Sequence, residues 1–397
     1  MLHYITSGES HGPQLTAIIA GFPSGIPVKS KDIDEQLRRR QKGYGRGGRM
    51  KIEKDRVEIV SGVRFGYSMG SPVTLVIRNR DYENWMDFMG AEPKKPDSSR
   101  NVTRPRPGHA DLVGCLKYAH SDARNILERA SARETAARVA VGAVARCLLH
   151  QFDIDVFSHV VSIGEVKADI SGMSYSEIKE KTEKSDVRCA SGESAAEMRS
   201  AIDAARGKGD TLGGVVELVA VNLPAGLGDV MNWEGKLDAR IAMALMSIQS
   251  AKGVEIGMGF KAAETFGSGV HDAIHYEDEN SNFPEGHGPS GGFYHDTNNA
   301  GGIEGGMTNG EPVVCRVAFK PIPTMMTPKR SVDLKSKETF DACKERSDVC
   351  AVPAAGVVAE AALAYVLANA FLEKFGGDSL LEIRRNYEEY VKFMQNY

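Results

Sequence analysis

The segment Val352–Phe375, VPAAGVVAEAALAYVLANAFLEKF, restricts the fold of this chain more than any other. It is apolar almost all the way round a helical projection, and a helix without a polar face must be covered on several sides. Two further Ala-rich runs, at about 134–150 and 236–250, have the same character. Ala351–Leu372 is also long enough to cross a bilayer. It carries Glu360 and Asn369 and is built on Ala rather than Leu, so a buried core helix is predicted and no membrane partner.

Strands can supply the cover. A small-residue Gly turn leads into an alternating stretch four times: GESHGPQLTAIIA, GYSMGSPVTLVIR, GDTLGGVVELVAV and GGMTNGEPVVCRVAF. Their spacing is irregular, which excludes a solenoid and fits a duplicated unit of antiparallel strands. The expectation is an α+β fold, a sandwich with Ala-rich helices packed between outer antiparallel sheets and internally pseudo-duplicated. It forms one domain, 1–397, whose last stretch, 379–397, is a polar helical tail. Strands are predicted at Gln14–Ala20, Val57–Val63, Pro72–Arg78, Val156–Ile163, Gly213–Leu223 and Pro312–Phe319. A helix capped by Ser30 or Asp32 should run to about Arg40.

With a net charge of −4, no global field recruits nucleic acid or an anionic membrane. The six cysteines are scattered and form no C-x-x-C, which argues against a zinc ribbon, a redox dithiol or any metal site. They suit a reducing cytosol, as small buried hydrophobes. MLHYITSGESHG shows neither a basic n-region nor an apolar h-region, so a cytoplasmic protein is expected.

Two histidines occupy rigid Gly/Pro turns ahead of buried elements: His11 in Ser10-His11-Gly12-Pro13 and His109 in Gly108-His109-Ala110-Asp111. Either can be a solvated loop residue; together they are candidates for acid–base work near neutral pH. The other histidines, including His271, His275, His287 and His295, are read as surface residues. Arg40, Arg46, Arg49, Arg104, Arg106, Arg129 and Arg133 fall in loops and at helix starts. Several converging guanidinium groups suit a small polyanion, although Arg38–Lys42 alone reads as a solvated basic face. Gly43–Gly48 matches G-x-G-x-x-G, but a charged helix precedes it where a dinucleotide fingerprint needs a buried strand. A flexible anion-binding loop carrying Arg46 and Arg49 is the better reading. Asn298–Gly306 with Lys320–Thr324 could cradle a phosphate and a ring, or could be plain loops.

In sequence order, GESHG, RRQKGYGRGGRM, TRPRPGHAD, RASARETAARVA, SIQSAKGVEIG, NNAGGIEGG, KPIPT and ERSDVCAVPAAGVVAEA resemble the chorismate synthase family over nearly the whole chain. The resemblance implies conversion of 5-enolpyruvylshikimate-3-phosphate to chorismate and phosphate by 1,4-elimination. It also implies reduced FMN as cofactor, NADPH as the reductant in some members, and a homotetramer. It assigns His109 to the departing phosphate, His11 to the flavin's protonation, and Asp348 to proton removal. FMN would contact Arg129, Ala130, Ser131, Gln249, Ser250, Gly305, Lys320, Pro321, Ile322, Pro323, Thr324 and Arg346. NADP would contact Arg40 and Arg46, and substrate anions Ser10, Arg46, Arg49 and Arg133. Many members read R-H-D-P where this chain has Arg346-Ser347-Asp348-Val349. The alternatives are another flavin or phosphate-sugar enzyme with the same anion site, and an RNA-binding protein using Arg38–Lys51.

Overall fold

The computed structural model describes residues 1–47, 54–92, 98–277, 283–342 and 348–397. Arg49 and Arg346 lie outside these residues. The chain is α+β, and two antiparallel sheets frame it. Sheet one contains β1 (His3–Ser7), β2 (Gln14–Ala20), β3 (Val57–Ser61) and β4 (Val73–Arg78), in the order β1-β2-β4-β3. Sheet two contains β5 (Asp155–Ile163), β6 (Val166–Lys167), β7 (Gly214–Val221), β8 (Ala251–Ile256) and β9 (Val313–Phe319), in the order β8-β9-β7-β5-β6. Their alternation sets which face is inside. In β2, Leu15, Ala17 and Ile19 are buried while Ile18 is exposed; in β9, Val313, Cys315, Val317 and Phe319 are buried.

Two of the Ala-rich segments are helices in the interior; the third, within 236–250, buries only Leu237, Ile241 and Leu245 and leaves Met243 and Met246 exposed, so it is covered on one face and not on several sides. The helices that matter for the site are α1 (Ser30–Gln41), α2 (Asp111–Tyr118), α3 (Arg124–Ala130), α4 (Thr135–Leu149), α5 (Leu237–Met246), α6 (Val352–Phe375) and the tail helix α7 (Leu380–Gln395). Every residue of α4 except Arg138 is buried. α4 packs against β2 and β4 of sheet one, α6 against β5 and β7 of sheet two, and the two helices against each other. Gly142 makes that contact close: a Cβ there would stand 2.4 Å from Cα of Ala361. Among the described residues α6 is the one helix long and apolar enough to cross a membrane, and 78% of its most apolar window is buried. α6 ends where Gly376 takes φ +60°, and Ile383 and Met394 of α7 are buried.

Sequence and structure differ at helix ends. α5 stops at Met246 rather than Ser250, because Ala251 is already a strand residue paired with Phe319. α1 is not capped by Ser30 or Asp32; its N-cap is Lys29, which makes no side-chain cap bond. Arg38–Lys42 is not a uniformly solvated face either, since Arg39 and Arg40 turn inward. Glu360, fully buried on α6, accepts from Arg39 (2.7 Å), Arg146 (2.6 Å), Arg188 (2.8 Å) and Ser158 (2.7 Å). Burial alone would raise its pKa, but the three guanidinium groups hold it below the usual carboxylate range. This cluster fixes the end of α1 against the core and so positions Arg40 beside it. The five described cysteines are free and buried, and burial pushes the Cys147 and Cys315 thiols up to about 12.

Candidate active site

His11 sits in the β1–β2 loop over the side chain of Glu128, a buried residue of α3. Its Nδ1 lies 2.9 and 3.0 Å from the two carboxylate oxygens, and its backbone N–H donates to the same carboxylate at 2.8 Å. A carboxylate can only accept here, so Nδ1 carries the hydrogen and Nε2 is the basic nitrogen of the neutral ring. Burial works against the charge on Glu128, but the bonds from His11 outweigh it and the pKa falls. The ring face of His11 is covered by Trp85, with centroids 3.9 Å apart and planes 30° apart. Ser10, next in the loop, is anchored by its N–H to the Glu128 carbonyl (3.0 Å) and accepts from the Ser131 hydroxyl at 3.2 Å.

The turn after α3 gathers the arginines. Arg133 is buried and donates to Asp55 (2.7 Å) and Asn79 (3.0 Å). Arg40 donates to the Thr135 hydroxyl and the Ala132 carbonyl, both at 2.9 Å, with Asp55 3.6 Å away. Two guanidinium groups around one carboxylate leave a net positive site beside Ser10 and Ser131. Arg129 is turned to the β1 end, donating to the Thr6 carbonyl (3.0 Å) and hydroxyl (2.8 Å). Ala130 closes α3 immediately before Ser131. Glu134 links this turn to the chain after α5, accepting from Gln249 at 3.4 Å. Gln249 Oε1 is buried and makes no hydrogen bond to the described residues. Ser250 holds φ +72°, a conformation that non-Gly residues adopt at a cost.

From Ser250 the site passes to the second histidine. The Lys320 N–H donates to the Ser250 carbonyl (2.9 Å), and Lys320 Nζ donates to the Gly108 carbonyl (2.7 Å). Pro323 packs so tightly on Gly108 that a Cβ there would meet it at 2.7 Å. His109 is thereby set against Thr324, with Nε2 3.3 Å from the hydroxyl and Nδ1 3.3 Å from the Pro107 carbonyl. That carbonyl accepts, so Nε2 is again the basic nitrogen. Burial and the nearby Arg106 cation push the His109 pKa below its ordinary value. Arg106 itself is committed to Asp111, which is fully buried at the start of α2 (Nε–Oδ2 2.9 Å). Arg46 pairs with Asp348, Nε to Oδ2 at 3.1 Å, and the Gly47 N–H also donates to that carboxylate. This pair reaches the 320–324 strap through Leu212, whose N–H meets the Val349 carbonyl at 2.9 Å, and Thr211, whose hydroxyl donates to the Ile322 carbonyl at 2.7 Å. Pro321 lies between these anchors.

Comparison with known proteins decides what this constellation belongs to. The family model for chorismate synthase matches residues 2–372. The chain is 57% identical to a chorismate synthase of Pelobacter propionicus over 392 residues, covering 99% of each. It is 56% identical to one of Geobacter sulfurreducens over 395 residues, covering both in full. The chain belongs to the chorismate synthase family. A solved structure titled as a crystal structure of chorismate synthase superposes with a TM-score of 0.79 at 43% identity, covering 100% of this chain and 99% of that one. The family's activity is the shikimate-pathway lyase step that forms chorismate.

The fold brings most of the candidate residues of this chorismate synthase family member into one connected set: Ser10, His11, Arg40, Arg129–Ser131 and Arg133 on one side, Gln249–Ser250, Lys320–Thr324 and His109 on the other. Gly305 is not drawn in. The Gly306 carbonyl accepts from the Leu237 N–H (2.8 Å), so Gly305 sits at the start of α5 while Gln249 lies past its end. Ten helical residues, about 15 Å, separate the two ends. Sequence reasoning missed Glu128, Asp55, Trp85 and Thr135. Glu128 stands immediately before the RASARE stretch, but its bond to His11 spans 117 residues. His159, His287 and His295 are corrected: His159 is fully buried on β5 with Nε2 3.0 Å from Glu217, and the other two are buried around Glu311, with Nδ1 atoms 3.3 and 3.5 Å from its Oε1, not on the surface. The RNA reading of Arg38–Lys51 loses Arg39 and Arg40 to the interior.

Proposed function

We propose that the surface between His11, His109 and Asp348 performs the family's elimination on 5-enolpyruvylshikimate-3-phosphate. The C–O bond to phosphate breaks, a ring hydrogen is lost, and one C=C bond forms, with no net redox change. The observation that carries this reading is the state of the two histidines. Each has Nδ1 committed to an acceptor, so each has Nε2 to give or take a proton. His109, on a strap that also offers Lys320, stabilises the departing phosphate. A phosphate dianion beside it opposes the effects of burial and Arg106, raising its affinity for the proton it must deliver. His11, fixed by Glu128, holds or returns a proton on the other side of the site. Asp348, oriented by Arg46 and the Gly47 N–H, presents a carboxylate that can accept one.

The donor set fits a reduced flavin. Gln249 Oε1 is a buried acceptor awaiting a donor, Ser250 is held in a costly backbone conformation, and 320–324 presents main chain and one cation. Arg129, Ala130, Ser131, Gln249, Ser250 and Lys320–Thr324 would hold FMN, with Arg346 as a further contact; Gly305, at the far end of α5, lies outside this set. Reduced flavin, when bound, supplies the transient electron that no side chain can. Arg40 and Arg46 would meet NADPH if the protein reduces its own flavin, and Arg46, Arg49, Arg133 and Ser10 the substrate anions. We further infer that the helices and two sheets form a duplicated sandwich comprising one domain, and that the protein is a cytoplasmic homotetramer. Ile5 and Ile18, opposite one another on sheet one and 63% and 46% exposed, support such an assembly.

The test is flavin binding. FMN fluorescence is expected to be quenched by the protein, more strongly with the phosphorylated substrate present, and Gln249→Leu should weaken FMN binding about tenfold, as for one buried hydrogen bond lost. Quenching independent of both would contradict this site. RNA retention falling steeply with salt would support the RNA-binding alternative.

A further inference from the structure

The site contains one aromatic contact that the reaction assigned above does not use. Trp85 lies in a polar segment between two single-turn helices, Arg80–Asn84 and Met86–Met89, yet its ring covers His11. It is itself held on three sides. Its Nε1 donates to Asp81 (3.0 Å), the Arg100 guanidinium lies 4.2 Å from its ring centroid, and that of Arg124 lies 5.2 Å away. Arg100 is inserted between Trp85 and Phe88, 4.1 Å from the latter's centroid, and so folds the segment back on itself. Arg124 ties the same unit to α3, donating to Glu128 (3.4 Å) and to the Arg100 carbonyl (3.2 Å).

We propose that Trp85 is a positioning residue for His11: with Glu128 gripping the ring edge, the indole fixes the ring plane, so that Nε2 is presented in one orientation. The inference rests on the role given to His11 above. Glu128 alone leaves the imidazole free to swing about the Nδ1 contact; a stacked indole removes that freedom and favours an imidazolium when one forms. The charged groups facing the stack are Glu128 and Arg124 from α3 and Arg100 and Asp81 from the Trp85 segment; Glu9, in the loop of His11 itself, lies beside Gly12.

Two measurements test this. The chain has two tryptophans, and Trp233 is 74% exposed on a turn before α5. In a Trp233→Phe background the emission of Trp85 should depend on pH, because an imidazolium in contact quenches indole more than the neutral ring does. His11→Asn should abolish the titration. Emission that is flat with pH, or that titrates equally without His11, overturns the stack. Second, Trp85→Ala should lower kcat about tenfold with little change in KM and move the limb of the pH profile that His11→Asn removes, as expected of a misplaced catalytic ring. Trp85→Phe should restore most of the rate. Loss of thermal stability in Trp85→Ala with kcat and its pH profile unmoved would make Trp85 merely structural and overturn the proposal. If His11→Asn turns over normally while the emission still titrates with His11, the catalytic reading of His11 fails and the contact survives.

Discussion

His109 shows how much a residue's surroundings add to its type. Buried beside Arg106, it has a lowered pKa, so the unfolded chain binds its proton at a higher pH than the folded one. Stability therefore rises with pH through the window below the ordinary histidine value, about 6.5, and this contribution is absent above it. The thermal midpoint is expected to fall between pH 7.5 and 5.5, and to fall less in His109→Gln. An equal fall in both would show that His109 is not held neutral. On activity, His109→Ala should cut turnover at least tens-fold, in line with general-acid contributions, while FMN affinity stays nearly unchanged. Arg133 is different. Its buried contact with Asp55 makes it part of the framework, and Arg133→Ala should cost about 3–5 kcal/mol in urea unfolding. The double variant with Asp55→Ala should cost less than the sum of the two singles, whereas strict additivity would mean that the two do not interact. The two histidines were legible in the sequence because rigid turns marked them. Their partners were not, because Glu128 and Trp85 meet His11 only through the tertiary fold, and Trp85 stands in a stretch whose polarity reads as an open loop.

At the scale of elements, apolar periodicity identified α4 and α6 and most strands to within a residue or two. It failed where tertiary pairing overrode it: the run from Lys236 to Ser250 has helical composition to its end, but register with Phe319 makes Ala251 a strand and leaves a turn before it. Close packing gives a sharper prediction. Helix propensity alone favours Gly142→Ala by about 1 kcal/mol. A Cβ at that position would meet the backbone and side chain of Ala361 at 2.4 Å, and overpacking of this kind costs about 1–3 kcal/mol. The variant is therefore expected to be less stable in urea unfolding with an unchanged m-value. A gain in stability would mean that α4 and α6 can separate at no cost.

Across the whole molecule, two helices without a polar face, α4 and α6, required a fold that surrounds them, and two sheets supply much of that cover. The interior is not purely apolar, and nothing in the local sequence announces the Glu360 cluster, whose three guanidinium partners come from α1, α4 and the loop at Arg188. Its consequence for function is indirect: it holds Arg40 at the site. The central claim, that this connected site performs the chorismate-forming elimination with a reduced flavin, is tested most directly under anaerobic conditions. The protein is mixed with chemically reduced FMN and 5-enolpyruvylshikimate-3-phosphate while chorismate absorbance and phosphate release are followed together. Equal amounts of both products, and neither with oxidised FMN alone, are expected. Substrate binding with no product under reduced flavin would contradict the roles given to His11, His109 and Asp348.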